Sequence, residues 1–319
     1  MIDWPDAEEL ARRFPEIQGR RRLGLSGVST PDRPKSGTLL FALAPGANFV
    51  GKLAGVNGCL LLLPESAREA SGVLEDRHGV IYSSNPRYLF AAILNRYFDL
   101  SRYRGKLEWD RDRRIYAGTD VKIAASATLE PGVTVLSRTS IGEGAFLMSG
   151  ARVGPDVRVG KNAVVGENSV IGGHGFGFGM ENGEPSIRIP HFGGVEIGAD
   201  VEIGALVTVR SGTIDPTVIS CGAKIDDHVH IAHNCCIRTG TVIIAHAEIS
   251  GSVVIGERTW VGPNSTFIDG VTIGAECTVA PGSVVMRSFK DGLSIFGNPA
   301  RVLPGSASKW EIPDPGANK

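Results

Sequence analysis

The spacing of apolar residues along this chain changes once, near residue 119, and the change divides the molecule. Before it, short apolar runs alternate with helical patterns. DAEELARRF reads as a short amphipathic helix, and GTLLFAL, GCLLLLP and GVIYSS read as buried strands between turn residues. In SSNPRYLFAAILNRYF, Asn85 is placed to cap a helix starting at Pro86, with Leu89, Ile93 and Tyr97 at helical spacing. These signals predict an α/β domain over 1–100. Residues 101–118, SRYRGKLEWDRDRRIYAG, are charged and poor in aliphatics, and predict a linker.

From residue 119 the aliphatic residues return every sixth position. One series runs without a gap from Ile123 through Leu129, Val135 and Ile141 to Ile171; a short one holds Ile197, Ile203 and Val209; a third runs from Ile219 to Val285. Neither a helix nor a flat sheet has this period. It predicts a chain wound into triangular coils of about 18 residues, three hexapeptides to the turn, with the sextet side chains stacked inside the prism. Glycine often follows the aliphatic, as in Ile141-Gly142 and Ile255-Gly256, which suits corners where φ is positive or where a side chain would collide. The domain is expected over 119–290, with a tail over 291–319.

The series breaks twice. Between Ile171 and Ile197 lies GGHGFGFGMENGEPSIRIPHFGG, which predicts a loop insertion over 172–194. Between Val209 and Ile219 the spacing is ten, so four extra residues around SGTIDP form a smaller bulge. Loops on a rigid scaffold are where binding groups tend to sit.

Composition changes this picture little. A formal net charge of −1 provides no basic field for nucleic acid, and no apolar run is long enough to span a bilayer. The acidic start MIDWPDAEEL has no apolar signal-peptide core, and the five cysteines include no CxxC spacing, so a reducing, cytoplasmic location is expected. Cys235 and Cys236 are read as small space fillers.

Candidate chemistry gathers in KIDDHVHIAHNCC. The six-residue grid separates its three histidines. His230 precedes the inward Ile231 and should face outward to solvent. His228 should stack with His246 and Asn264, each 18 residues on, in a column that either lines a cleft or forms a solvated ladder. His174 and His191 flank the long loop, where histidines are often only solvated.

The order of GFGF, IPHFGGVEIGADVEIGA and KIDDHVHIAHN, behind SGTLLFAL and SNPRYLFAAIL, resembles the UDP-3-O-(3-hydroxyacyl)glucosamine N-acyltransferases of lipid A synthesis, over about residues 5 to 300. That resemblance implies a mainly β fold, a left-handed parallel β-helix preceded by a small α/β domain that helps to hold uridine. It also implies a homotrimer with active sites in clefts between neighbouring β-helices, and an acyl thioester as cosubstrate with no permanently bound cofactor and no metal.

Carried onto this sequence, the IAHN motif makes His233 the general base, and an oxyanion-binding backbone N–H falls at Gly251, 18 residues on. Phe41 matches an aromatic that stacks on uracil, although the asparagine that typically follows aligns with Ala44. Phe176, Phe178, His191, Asp226, His246 and Asn264 are the further candidates for substrate contact. Two positions depart from the family: Asp227 stands where asparagine is common, beside the expected reacting centre, and Asp269-Gly270 stands where a second histidine is expected. The GNPAR ending resembles coenzyme A dependent sugar acetyltransferases, which keeps coenzyme A beside acyl carrier protein as donor and keeps a sugar N- or O-acetyltransferase as an alternative. A rival of another class is a trimeric zinc carbonic anhydrase using His228 and His233; a third is a non-catalytic scaffold.

Overall fold

The computed structural model describes residues 2–181 and 183–307. The chain forms two compact units. Among the described residues, one holds the chain up to Tyr103 together with Phe176–Pro190, and the other holds Arg104–Gly175 and the chain from His191 onward.

The first unit is a five-stranded sheet. Strands Gly27–Val28, Thr38–Phe41, Leu60–Pro64 and Gly79–Ser83 run parallel, and Gln18–Gly19 adds an antiparallel edge. Leu60, Leu61, Leu62 and Leu63 are all fully buried, as expected for a parallel strand covered on both faces. The predicted helix spans Pro86–Tyr97, and Asn85 Oδ1 accepts the Tyr88 N–H at 3.0 Å, so proline at the first helical position costs no hydrogen bond. Onto this helix packs the hairpin Phe178–Glu181/Glu184–Arg188, which is the inserted loop: Asn85 Nδ2 donates to Met180 O at 2.7 Å and Asn95 Nδ2 to Arg188 O at 2.6 Å. The insertion is therefore part of the amino-terminal unit in packing, although it interrupts the repeats in sequence.

The second unit is a prism of parallel coils with three sheet walls of 10, 8 and 10 strands among the described residues. Each short strand pairs with its equivalent one coil away, as in Val135↔Val153 and Ile231↔Ile249, a register of 18 residues. At the two breaks the register stretches, Val170 pairing Thr208 and Val195 pairing Thr217. Ile231, Ile249 and Phe267 are fully buried, so the sextet residues form one column of core per wall. A second inward layer of small residues, such as Ala223, Cys235 and Ala247, sits two positions before each of them.

Two details differ from the sequence reading. Residues 101–118 are not a bare linker: a helix Leu100–Arg104 precedes an antiparallel hairpin, Glu108–Asp110/Ile115–Ala117, and Ile115 is buried in the core of the prism, so coiling begins there. Positive φ recurs three residues after the sextet aliphatic; of the glycines directly after it Gly172 (φ 78°) has it, but Gly142 and Gly256 do not. His228 (φ 59°), Asn234 (61°), His246 (62°), Ser252 (60°) and Asn264 (55°) all occupy that third place, the left-handed position of each corner turn. The glycine that directly follows the aliphatic answers the other need, absence of a side chain: a Cβ on Gly142 would lie 2.8 Å from the carbonyl carbon of Gly160 in the next coil.

The expected tail contains strand Leu293–Phe296, parallel to Thr278–Val279, followed by the antiparallel Arg301–Ala307. No helix among the described residues is long and apolar enough to cross a membrane.

Candidate active site

Both insertions leave the prism at the same corner, and so does the IAHN turn. The long loop follows strand Val170–Gly173, the bulge follows Thr208–Arg210, and His233-Asn234 follow His230–Ile231; these three strands are neighbours in one wall. Three consecutive coils thus place their irregular backbone together.

That corner assembles a histidine group that sequence separation hides. The ring of His191 lies 4.9 Å from that of His233 and 5.3 Å from that of His174, centroid to centroid. His191 is 2% exposed, not a solvated loop residue. Its burial requires Gly175, since a Cβ there would lie 2.3 Å from His191 Cδ2. The His191 backbone N–H donates to His174 Nε2 at 3.2 Å, so that nitrogen is unprotonated and His174 Nδ1–H faces Gly175 O at 3.1 Å.

His233 is half-buried, and its tautomer follows from its neighbour. Asn234 Oδ1 accepts from the backbone N–H (3.3 Å) and the Oγ1–H (2.9 Å) of Thr213, and Asn234 Nδ2 donates to Asp215 O at 3.4 Å. The backbone donor fixes Oδ1 as an acceptor. His233 Nδ1, 3.0 Å from the same oxygen, must then carry the proton, leaving the lone pair of the neutral ring on Nε2. The bulge holds Asn234, which holds His233. The bulge also holds the return of the long loop, where Phe192 N–H donates to Thr213 O at 3.1 Å.

One coil further along, Gly251 closes against the imidazole. A Cβ on Gly251 would lie 2.7 Å from His233 Cε1, 3.0 Å from His233 Nε2 and 2.6 Å from Asp269 Oδ1. The Gly251 N–H has no hydrogen-bond partner among the described residues, as an oxyanion-binding group requires.

The remaining expectations divide. His228 and His246 stack as expected, rings 4.8 Å apart and 7° from parallel, with Asn264 in the same column. They occupy a different corner from His233, so within one chain His228 and His233 do not converge. Among the described residues no group of three His, Cys, Asp or Glu side chains is arranged to hold a metal. Asp226 and Asp227 belong to the His228 corner too. Asp227 Oδ1 accepts the Ala205 N–H at 2.7 Å and Asp226 Oδ2 the Ala245 N–H at 3.1 Å, so in one chain Asp227 is not beside His233. Both line a groove of about 430 Å³ with Glu202, Lys224 and Ile243.

His230 does point out of the prism but is not simply solvated. Thr208 Oγ1 lies 2.6 Å from its Nδ1, and burial, then the charges of Arg210 and His233, hold its pKa below the usual value. Cys235 fills the inner layer as expected; burial pushes its thiol up to about 12, and Cys236 is half-buried. In the first unit, Phe41 is half-buried with its ring 4.7 Å from that of Phe90. Phe176 is 77% exposed, and its ring and that of Phe178 lie 5.2 Å apart, with the Arg188 guanidinium 4.7 Å from the Phe178 ring.

Comparison with known proteins agrees with this architecture. The family described as bacterial transferase hexapeptide (six repeats) matches residues 138–173 and 252–287. UDP-3-O-acylglucosamine N-acyltransferase of Herminiimonas arsenicoxydans is 34% identical over 55% of this chain and 45% of its own length. The protein of the same name from Hahella chejuensis is 32% identical over 58% of this chain and 47% of its own. The match thus spans about half the length of these curated relatives. Among solved structures, UDP-N-acetylglucosamine O-acyltransferase from Moraxella catarrhalis superposes with a TM-score of 0.53 at 22% identity, over 60% of this chain and 72% of that one. That likeness speaks to fold: a left-handed parallel β-helix. The chain thus carries hexapeptide repeats of the bacterial transferase type, and over about half of its length it resembles UDP-3-O-acylglucosamine N-acyltransferase.

Proposed function

We propose that this chain is an N-acyltransferase that moves an acyl group from a carrier thioester to the amine of a UDP-linked amino sugar, in the synthesis of lipid A or a related surface glycan. The observation that carries the reading is the fixed tautomer of His233, whose Nε2 lies beside Gly251, the N–H of which has no partner among the described residues. A general base and an oxyanion donor are the two groups that aminolysis of a thioester needs.

In this mechanism the acceptor nitrogen attacks the thioester carbonyl carbon. Gly251 N–H receives the negative charge that develops on oxygen, and His233 Nε2 takes the proton from nitrogen. The C–S bond then breaks, and the leaving thiolate takes the proton from the imidazolium. No acyl-enzyme forms. Asn234 keeps Nδ1 protonated throughout, and His191, itself backed by His174, lies against the ring.

The donor is an acyl carrier protein or coenzyme A thioester. The resemblance supports a homotrimer acting in the cytoplasm, with each site in a cleft between copies. The His233 corner forms one side of that cleft, and the column of His228, His246 and Asn264, with Asp226 and Asp227, forms the other. In the amino-terminal unit Phe41 supplies an aromatic face for uracil, and Phe176 and Phe178 are further candidates for contact with a ligand or a neighbouring copy.

Acceptor-dependent release of free thiol, measured with UDP-amino sugars against a panel of carrier-protein and coenzyme A thioesters, tests the proposal. His233→Ala should lower turnover by roughly 10² or more. An unchanged rate in that variant removes the base assignment, and stoichiometric zinc retained through dialysis but lost in His228→Ala favours the carbonic anhydrase reading.

A further inference from the structure

We infer that Asp269 selects the acceptor: its carboxylate holds the acceptor nitrogen beside Nε2 of His233 and favours an amine over a hydroxyl at that point. The inference rests on the acyl-transfer reading of the same site and adds a residue to it.

Carboxylates at the corners of this prism usually have a structural task. Asp227 Oδ1 accepts the N–H of Ala205, Asp226 Oδ2 that of Ala245, and Asp291 Oδ1 that of Ala275, each bridging one coil to the next. Asp269 stands one coil beyond Gly251, where it could serve Gly251 in the same way, and it does not. Its exposed carboxylate makes no hydrogen bond or ion pair among the described residues, and the Gly251 N–H is left without an acceptor. The coils themselves are in ordinary register, with Gly270 N–H donating to Gly251 O at 2.9 Å.

Asp269 Oδ1 and His233 Nε2 instead converge over Gly251. Both lie within 3.0 Å of the point where a Gly251 side chain would begin, and neither bonds the other. A negative oxygen and a basic nitrogen flanking the same glycine suit a group that arrives with protons and positive charge. As an amine attacks the thioester carbon, its nitrogen becomes cationic until Nε2 removes a proton, and Asp269 stabilises that charge. A hydroxyl attacks as its proton leaves and its oxygen carries no such charge, so the carboxylate gives it no comparable stabilisation.

The test uses the full-length protein with two acceptors that differ at one atom, UDP-3-O-acylglucosamine and its 2-hydroxy counterpart UDP-3-O-acylglucose, the second assayed as a competitive inhibitor. Asp269→Asn should lower kcat/KM for the amine by about 10- to 100-fold, the range for losing a hydrogen bond to a charged group. The inhibition constant of the hydroxyl compound, which brings a hydrogen bond but no positive charge, should change clearly less than that, by no more than about 10-fold and less than the amine in the same variant, and Asp269→Glu should recover part of the loss. The inference is overturned if Asp269→Asn leaves the amine reaction within about 2-fold of wild type, or if it weakens amine and hydroxyl compounds equally. If the wild-type protein releases no thiol with any amine acceptor, the proposed function fails as well. If His233→Ala is inert while Asp269→Asn is silent, this inference alone falls.

Discussion

Asn234 accepts the Nδ1 proton of the adjacent His233 at 3.0 Å from a backbone held at φ 61°, so one corner turn both exposes the imidazole and sets its tautomer. Asparagine tolerates the left-handed conformation better than most residues. Asn234→Gly keeps that backbone and removes the acceptor. Its kcat should fall by about 10-fold or more, because the Nδ1–H tautomer is no longer enforced. Circular dichroism should show the fold intact, and a rate equal to wild type would separate Asn234 from the chemistry.

Gly251 offers a second separation of fold from activity. Its φ is not in the left-handed region, so an alanine backbone is unstrained there, but the methyl group would meet His233 and Asp269 at 2.6 to 3.0 Å. Gly251→Ala should leave the melting temperature nearly unchanged and cut turnover by about 10² through displacement of the imidazole. A large loss of stability with normal specific activity would contradict this.

The Cys235 thiol is pushed up to about 12 by burial, from an ordinary value of 9.0. Above pH 9 the unfolded chain releases this proton while the folded chain keeps it, so stability falls as pH rises between those values. A thiol reagent at pH 8 should label the exposed Cys221 and leave Cys235 unmodified until denaturant is added, as read by peptide mass spectrometry. Labelling of Cys235 in the native protein would refute the closed inner layer.

His230 acts in the opposite direction. Its pKa is lowered on folding, first by burial and then by Arg210 and His233, so as pH falls below 6.5 the unfolded chain binds a proton that the folded chain resists. Stability should decline through that range. His230→Gln should flatten the decline in urea titrations between pH 7 and 5, and an identical pH slope in the variant would locate the effect elsewhere.

The repeat architecture was legible because a six-residue period leaves one chemical mark per hexapeptide, and Ile231, Ile249 and Phe267 are buried where the grid put them. The stacking of His228 on His246 followed from the same 18-residue arithmetic. The contact of His191 with His233 did not, since 42 residues and two irregular excursions separate them, and no period relates residues on either side of an insertion. What a reader of the sequence had available was that both gaps fall at the same place in the three-hexapeptide cycle, so whatever leaves the prism does so at one corner. Asp227 illustrates the converse. It lies only six residues before His233 along the chain, yet six residues is one full side of the triangle.

The short hairpins at either end of the prism have a meaning beyond local structure. A stack of parallel coils ends in a row of unpaired backbone N–H and C=O groups, which is a template for another stack. Glu108–Asp110 folds back antiparallel on Ile115–Ala117 at one end, and Arg301–Ala307 on Leu293–Phe296 at the other, against the direction in which a further coil would add. Each reversal covers one of the three walls at its end, and on that wall an antiparallel strand occupies the edge where a further parallel coil, from this copy or another, would have to add.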